Sequence, residues 1–208
     1  MNHKKFFYYI VALFVCTYSS ISQEEINSTK NLWITSVEKN KTNEYSIILN
    51  DLIVIKEIKL KKTKIGKREI INLEFPTYIS KHGKAYPQII ALNKQLQQRI
   101  IKAITTLTPE KSSTKVEPSF TINKFTPYTK ATSSLKVFAS VVFENSLEIE
   151  CRVMERNRNA WVVWPARKDQ ITNKWIPQVA FTSKEYKKKI EQSLLSKYKT
   201  SKVEASEE

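Results

Sequence analysis

Seven cations carry most of the chemistry this chain offers: Arg156, Arg158, Arg167, Lys168, Lys184, Lys187 and Lys188. A guanidinium fork grips a phosphate bidentately and an ammonium meets it as a point charge, so this set suits a phosphate-rich partner. Just upstream of the Arg167–Lys168 pair, Trp161 and Trp164 flank two valines. Indole faces can stack on nucleic-acid bases, but their place in an apolar run reads first as the core of a buried strand. The whole chain leans the same way. Lys and Arg number 35 against 20 Asp and Glu, for a net charge of +15 and a pI near 9.7. Such a surplus attracts polyanions: DNA or RNA, anionic lipid, or acidic wall polymers.

Other chemistries lack their parts. The 208 residues hold two histidines, two cysteines and two glycines. His82 sits in the polar turn Ser80-Lys81-His82-Gly83-Lys84, and Cys151 lies in an apolar strand-like run, where it reads as a small buried hydrophobe rather than a reactive thiol. No phosphate-cradling glycine loop, zinc cluster or Cys/His pair can be assembled. The expectation is a protein that is not an enzyme and takes no cofactor, metal or small-molecule substrate. A Ser or carboxylate site without histidine is the remaining catalytic alternative. Residues 1–22 form a separate segment. Lys4-Lys5, an apolar run from Phe6 to Cys16 and a small-residue exit at Ser20 and Ser22 match a secretory signal peptide cut before Gln23. The expected product is exported, periplasmic or secreted, and cytoplasmic if the N-terminus is not cleaved. Loss of Cys16 with that segment leaves Cys151 alone, so no intramolecular disulfide can form and the fold must rest on its core.

The elements that position the cations recur along the chain. The segment opening Pro87-Gln88 and running to Ile104 aligns without a gap on the segment opening Pro177-Gln178 and running to Leu194, and Phe75-Pro76 answers Trp164-Pro165. A repeat near ninety residues is too long for a solenoid and fits a duplicated small domain. Residues 31–107 read as the first unit, 108–118 as a polar linker, 119–202 as the second unit and 203–208 as a frayed acidic tail. In the first unit, a strand over 32–37 precedes a hairpin turning at Asn50-Asp51 and a strand over 70–75 stopped by Pro76. Asn93 then caps a helix whose apolar face is Leu96, Ile100, Ala103 and Ile104. In the second, an opening segment over 121–125, strands over 135–143 and 147–154 and a buried one over 160–164 precede a helix. Thr182 and Glu185 form its capping box, and it buries Tyr186, Ile190, Leu194 and Tyr198.

The second unit resembles the SpoVG family, the stage V sporulation protein G or putative septation proteins. The resemblance spans about 75 residues. It rests on the Leu135–Asn145 hairpin segment, on Cys151-Arg152-Val153-Met154-Glu155, and above all on Trp161-Val162-Val163-Trp164-Pro165-Ala166-Arg167-Lys168. Trp175 matches an aromatic after the loop, and Lys187 a basic residue opening the helix. The chain departs from the family at Asn159, where glycine is usual and Asn tolerates a left-handed turn. It also lacks a proline before the last helix, and the first unit has Thr77-Tyr78 after Pro76, so the basic pair is absent and that copy is degenerate. The resemblance implies an α+β domain in which an antiparallel sheet is covered by a C-terminal amphipathic helix, and a family that dimerises. Two such domains in tandem would pack as a covalent pseudo-dimer. It further implies a non-enzymatic role in septation, cell division or sporulation control through DNA or RNA binding. The signal-like segment supports a different class: an exported envelope module that binds an acidic wall polymer, a lipid surface or a septal protein.

Overall fold

The structure, a computed structural model, describes residues 32–40, 43–66, 68–80, 82–110, 116–130 and 132–207. The expected signal segment 1–22 lies outside them, as do residues 111–115 of the expected linker.

Hairpin formation follows from turn chemistry and period-two patterning. Strand β1 (Ile34–Lys39) pairs with β2 (Tyr45–Leu49), and β2 turns into β3 (Ile53–Ile65). At that turn Asn50 and Asp51 both take left-handed backbone angles, φ 51° and 57°. Two consecutive left-handed residues make the I′ turn whose twist matches the flanking strands, and Asn and Asp tolerate that region. Strand β4 (Arg68–Glu74) pairs with the far half of β3. A small hairpin of β5 (Thr77–Ile79) and β6 (Ala85–Pro87) follows, then β7 (Ile89–Ala91) and helix α1 (Lys94–Thr106).

The second half runs through the same order. Strand β8 (Phe120–Pro127) pairs with β9 (Leu135–Phe143), which turns at Glu144 and Asn145, again both left-handed, into β10 (Leu147–Arg156). Strand β11 (Asn159–Val163) pairs with the far half of β10. The hairpin of β12 (Ala166–Lys168) and β13 (Trp175–Pro177), strand β14 (Val179–Phe181) and helix α2 (Lys184–Glu207) complete it.

The two halves exchange their short strands. β14 lies on β3 with Val179 opposite Ile55, Ala180 opposite Val54 and Phe181 opposite Ile53. β7 lies on β10 with Ile89 opposite Ile149, Ile90 opposite Glu148 and Ala91 opposite Leu147. The flanking backbone bonds correspond as well. Lys56 N–H donates to Gln178 O at 2.9 Å and Thr182 N–H to Leu52 O at 3.0 Å; Glu150 N–H donates to Gln88 O and Leu92 N–H to Ser146 O, both at 2.8 Å. Every strand pairing is antiparallel, giving a mixed α+β molecule with two five-stranded sheets and a C-terminal helix. α1 packs on β1, β4 and β7; α2 packs on β10, β11 and β14. One continuous core takes Ile34, Ile47, Leu49 and Ile55 from the first sheet, Val141, Phe143, Ile149 and Val153 from the second, and the apolar faces of both helices.

Several expectations need correction. The polar loops after Pro76 and Pro165 contain the small hairpins, and the Pro-Gln segments lead into the exchanged strands. The strand over 160–164 is an edge strand, and only its core-facing side is covered: Trp161 is 42 % exposed, whereas Trp164 is buried. The left-handed residues of the β10–β11 turn are Asn157 and Arg158, with φ 52° and 65°, and Asn159 already pairs in β11. Ser183 Oγ, rather than Thr182, receives the Tyr186 N–H, because the Thr182 hydroxyl donates to Asp51 O across the exchanged strand. α2 runs on to Glu207, through the segment expected to fray. The start of the expected linker is clamped. Arg99 Nε and Nη2 donate to the two Glu110 carboxylate oxygens at 2.7 and 2.6 Å, and that carboxylate also accepts the Ile34 N–H at 3.0 Å.

Candidate nucleic-acid interface

The seven cations fall in three places. Arg156 and Arg158 flank the tip of the β10–β11 hairpin, and both are exposed. Lys184, Lys187 and Lys188 lie in the first turns of α2. Tyr198, far down the same helix, donates from its hydroxyl to Glu155, beside Arg156. At a rise of about 1.5 Å per residue, roughly 21 Å of helix separates Lys184 from Tyr198. The hairpin tip and the start of α2 therefore form two separate positive regions. Lys187 ion-pairs with Glu191 at 3.7 Å, and Glu191 in turn accepts the Trp164 indole N–H at 2.9 Å. Lys168, Lys184 and Lys188 are exposed and enter no ion pair among the described residues.

Arg167 has a specific partner. Its Nε donates to the Glu57 carboxylate, which also accepts the Gln178 side-chain amide at 2.7 Å. Asp169 Oδ2 lies 3.7 Å from the Arg167 Nη1. Glu57 is a non-glycine residue at φ 61°, sited where β3 slips register against β2. Its unfavourable backbone is held by two side-chain partners, both from the second half of the chain. Arg167 thus ties the β12–β13 arm to the first sheet.

Two clefts flank Glu57. One, of about 380 Å³, lies between the outer face of the first sheet and the β12–β13 arm, lined by Glu38, Glu44, Ser46, Lys56 and Arg167 among others. A larger one, of about 740 Å³, is lined by Glu44, Glu74, Phe75, Ile89 and Gln97, among others. Two of their carboxylates are ion-paired: Glu44 with Lys59 at 2.9 Å and Glu74 with Lys61 at 3.4 Å. Among the described residues no group of three or more His, Cys, Asp or Glu is placed to hold a metal. Burial pushes the Cys151 thiol up to about 12, which keeps it protonated at neutral pH.

The outer face of the second sheet differs in kind. Strand alternation turns Val137 and Ala139 inward and leaves Phe138 44 % exposed. Phe138 stands opposite Arg152, and Trp161 opposite Met154, one step along the same face. Arg156 continues that face beyond Met154. Tyr128 meets Phe138 edge-on with centroids 5.8 Å apart. The β5–β6 arm comes over from the first half: the Arg152 guanidinium lies 5.2 Å from the Tyr78 ring, and Tyr78 lies 6.2 Å from Tyr86, which Lys84 approaches at 5.1 Å. None of these aromatics was among the expected site residues except Trp161, which was read chiefly as core. The available signal was the alternation in Val137-Phe138-Ala139, masked by the apolar character of the whole run.

Compared with family models, with curated proteins and with solved structures, the chain matches none.

Proposed function

We propose that the chain is a SpoVG-like, non-enzymatic nucleic-acid-binding protein of the septation and sporulation-control type, built as a covalent pseudo-dimer of two repeats. The observation that carries the pseudo-dimer is the reciprocal strand exchange, β7 on β10 and β14 on β3, made in the same register with corresponding backbone bonds. A dimerising domain whose two copies are joined in one chain would make such an exchange internally. The degenerate first copy then acts as partner, and the second supplies the basic surface.

The binding reading is supported by the net charge of +15 and by the exposed Lys168, Lys184 and Lys188, with Lys187, Arg156 and Arg158 completing the set. Arg167 serves this reading through the arm it anchors. Salt dependence is the test. Each neutralised phosphate releases counterion, with a slope near −0.9 per contact on duplex DNA. Replacing Lys168, Lys184, Lys187 and Lys188 together with Ala is expected to weaken binding and flatten the slope of log K against log salt by about 3.6 if all four meet phosphates. A control variant neutralising Lys59, Lys61, Lys62 and Lys64 carries the same charge change in the first half. Equal losses from the two variants would mean diffuse attraction and no site.

The pattern over residues 1–22 favours a second reading, in which the same pseudo-dimer works outside the cytoplasm on an acidic envelope polymer, a lipid surface or a septal protein. Sequencing the N-terminus of the native protein after cell fractionation separates the two. A mature chain beginning near Gln23 in the envelope fraction favours the second, and retention of Met1 with cytosolic markers favours the first.

A further inference from the structure

We propose that the outer face of the second sheet, completed by the β5–β6 arm of the first half, is a stacking platform for unpaired bases, so that the nucleic acid bound is single-stranded. This rests on the nucleic-acid reading above and names its partner and a surface distinct from the α2 lysines. Soluble chains seldom leave large aromatic rings exposed side by side on a sheet, and the compositional rule is that exposed aromatics set among cations mark recognition surfaces. Phe138, Trp161, Tyr78 and Tyr86 are 44, 42, 44 and 41 % exposed. Arg152 stands among these rings, with Arg156 at one margin and Lys84 at the other.

The chemistry of that arrangement selects its ligand. A ring lying half-open on a sheet offers a π-face to any base, and the neighbouring cations meet the phosphates that connect successive bases. A four-stranded face carrying aromatics takes two or three splayed bases in this way. Duplex DNA keeps its bases paired inside and offers such rings only sugar and phosphate. Charge complementarity favours a phosphate-bearing strand over an uncharged polysaccharide, which would also stack on aromatic rings. The nearest carboxylates on this face are already engaged. Glu148 is buried and accepts from Ser140 Oγ at 2.7 Å, and Lys124 lies 3.2 Å from Glu148 and 3.6 Å from Glu150. The matching face of the first sheet makes the contrast: it presents Ser36, Glu38, Ser46 and Lys56 beneath the β12–β13 arm, with no aromatic ring. Phe138 and Trp161 have no counterpart ring on the corresponding face of the first sheet, and the β12–β13 arm over that face carries Trp175 alone where the β5–β6 arm carries the Tyr78–Tyr86 pair.

The test is fluorescence anisotropy of the full chain with three labelled probes of equal length: an oligodeoxythymidine, its abasic counterpart, and a duplex. Stacking supplies roughly tenfold or more per base, so the oligodeoxythymidine is expected to bind at least tenfold tighter than the abasic strand. Phe138→Ala and Trp161→Ala should each weaken the oligodeoxythymidine about tenfold and leave the abasic strand unchanged, and Trp161→Tyr should restore binding. Trp175→Ala, which removes an exposed indole from the other arm, should change nothing, and unfolding midpoints check that all variants fold. Equal affinity for the base-bearing and abasic strands, or wild-type binding by both ring variants, would overturn the platform. If in that case the four-lysine variant still loses binding, the nucleic-acid reading stands without it. Failure of all three probes to bind would overturn both, and retention on insoluble glycan strands in their place would assign the platform to carbohydrate.

Discussion

At the scale of single residues, two contacts show how charge is spent on holding the chain together rather than on a ligand. Burial pushes the Glu110 carboxyl up, but the Arg99 hydrogen bonds, the Ile34 N–H and the charges of Arg99 and Lys102 outweigh it and hold the group below its ordinary 4.5. A carboxyl depressed in the fold contributes stability that is complete above the unfolded value and is lost as pH falls through the folded one. Glu110→Gln is therefore expected to cost about 1–2 kcal/mol at pH 7, read as a shift in the denaturant midpoint. The variant's stability should also fall less steeply than wild type as pH drops below 4.5. A variant with unchanged pH dependence would show that the clamp contributes nothing. The second contact is Arg167 with Glu57. Arg167 is half-exposed, so the pair is screened, and a double-mutant cycle between Arg167→Ala and Glu57→Ala should give a coupling of about 1 kcal/mol. Zero coupling would return Arg167 to the pool of cations available for phosphate. This pairing was not legible in the sequence, because the partners stand 110 residues apart and Glu57 gains its place only through a slip of register in β3.

At the scale of elements, legibility followed the length of the pattern. α1 buries the four residues that its 3.6-residue period picks out, Leu96, Ile100, Ala103 and Ile104, behind the Asn93 cap, whose side chain accepts the Leu96 N–H at 2.7 Å. β9 spans the whole apolar run Leu135–Phe143, and the I′ turns at Asn50-Asp51 and Glu144-Asn145 fall where those residues interrupt the alternation. The exchanged strands are three residues each, too short to show a period, and their partners lie in the other half of the chain. The platform stayed hidden for a related reason, since the run around Phe138 is apolar at nearly every position and its facing depends on which side the helix covers. The exchanged strands are nevertheless structural necessities. Ile90 faces Glu148 between the Gln88–Glu150 and Leu92–Ser146 bonds, so ladder alternation directs its N–H at β10. Proline has no N–H to give, and Ile90→Pro should cost upward of about 2 kcal/mol. Hydrogen exchange should show lost protection at Leu92 and Glu150. Retained protection at both amides would mean that β7 is not held on β10 by its ladder.

At the scale of the whole molecule, each half lays a strand on the sheet of the other. Removing the first half strips β7 from the edge of β10 and leaves β14 without β3, so Leu147, Ile149 and Phe181 lose the surfaces that cover them. It also leaves Thr182 and Gln178 without Asp51, Glu57 and Lys56. A unit near eighty residues buries a small share of its surface even when complete, and this one would also have open sheet edges. Two copies can repair both losses by trading β14 strands: each β14 would take the place that β7 holds on β10, and the β10 that receives it the place that β3 holds on β14. The excised segment 119–202 is therefore expected to sediment as a dimer, or to unfold at much lower denaturant than the full chain, while the full chain runs as a monomer. Covalent joining over a short connection gives the halves an effective concentration of roughly millimolar, so the separated segment must be concentrated toward that range before pairing is complete. Dilution should dissociate the dimer and lower its stability together, because assembly and folding are then one equilibrium. A segment that remains a stable monomer at micromolar concentration would show that β14 finds its cover within its own half, and the pseudo-dimer would fall with that result.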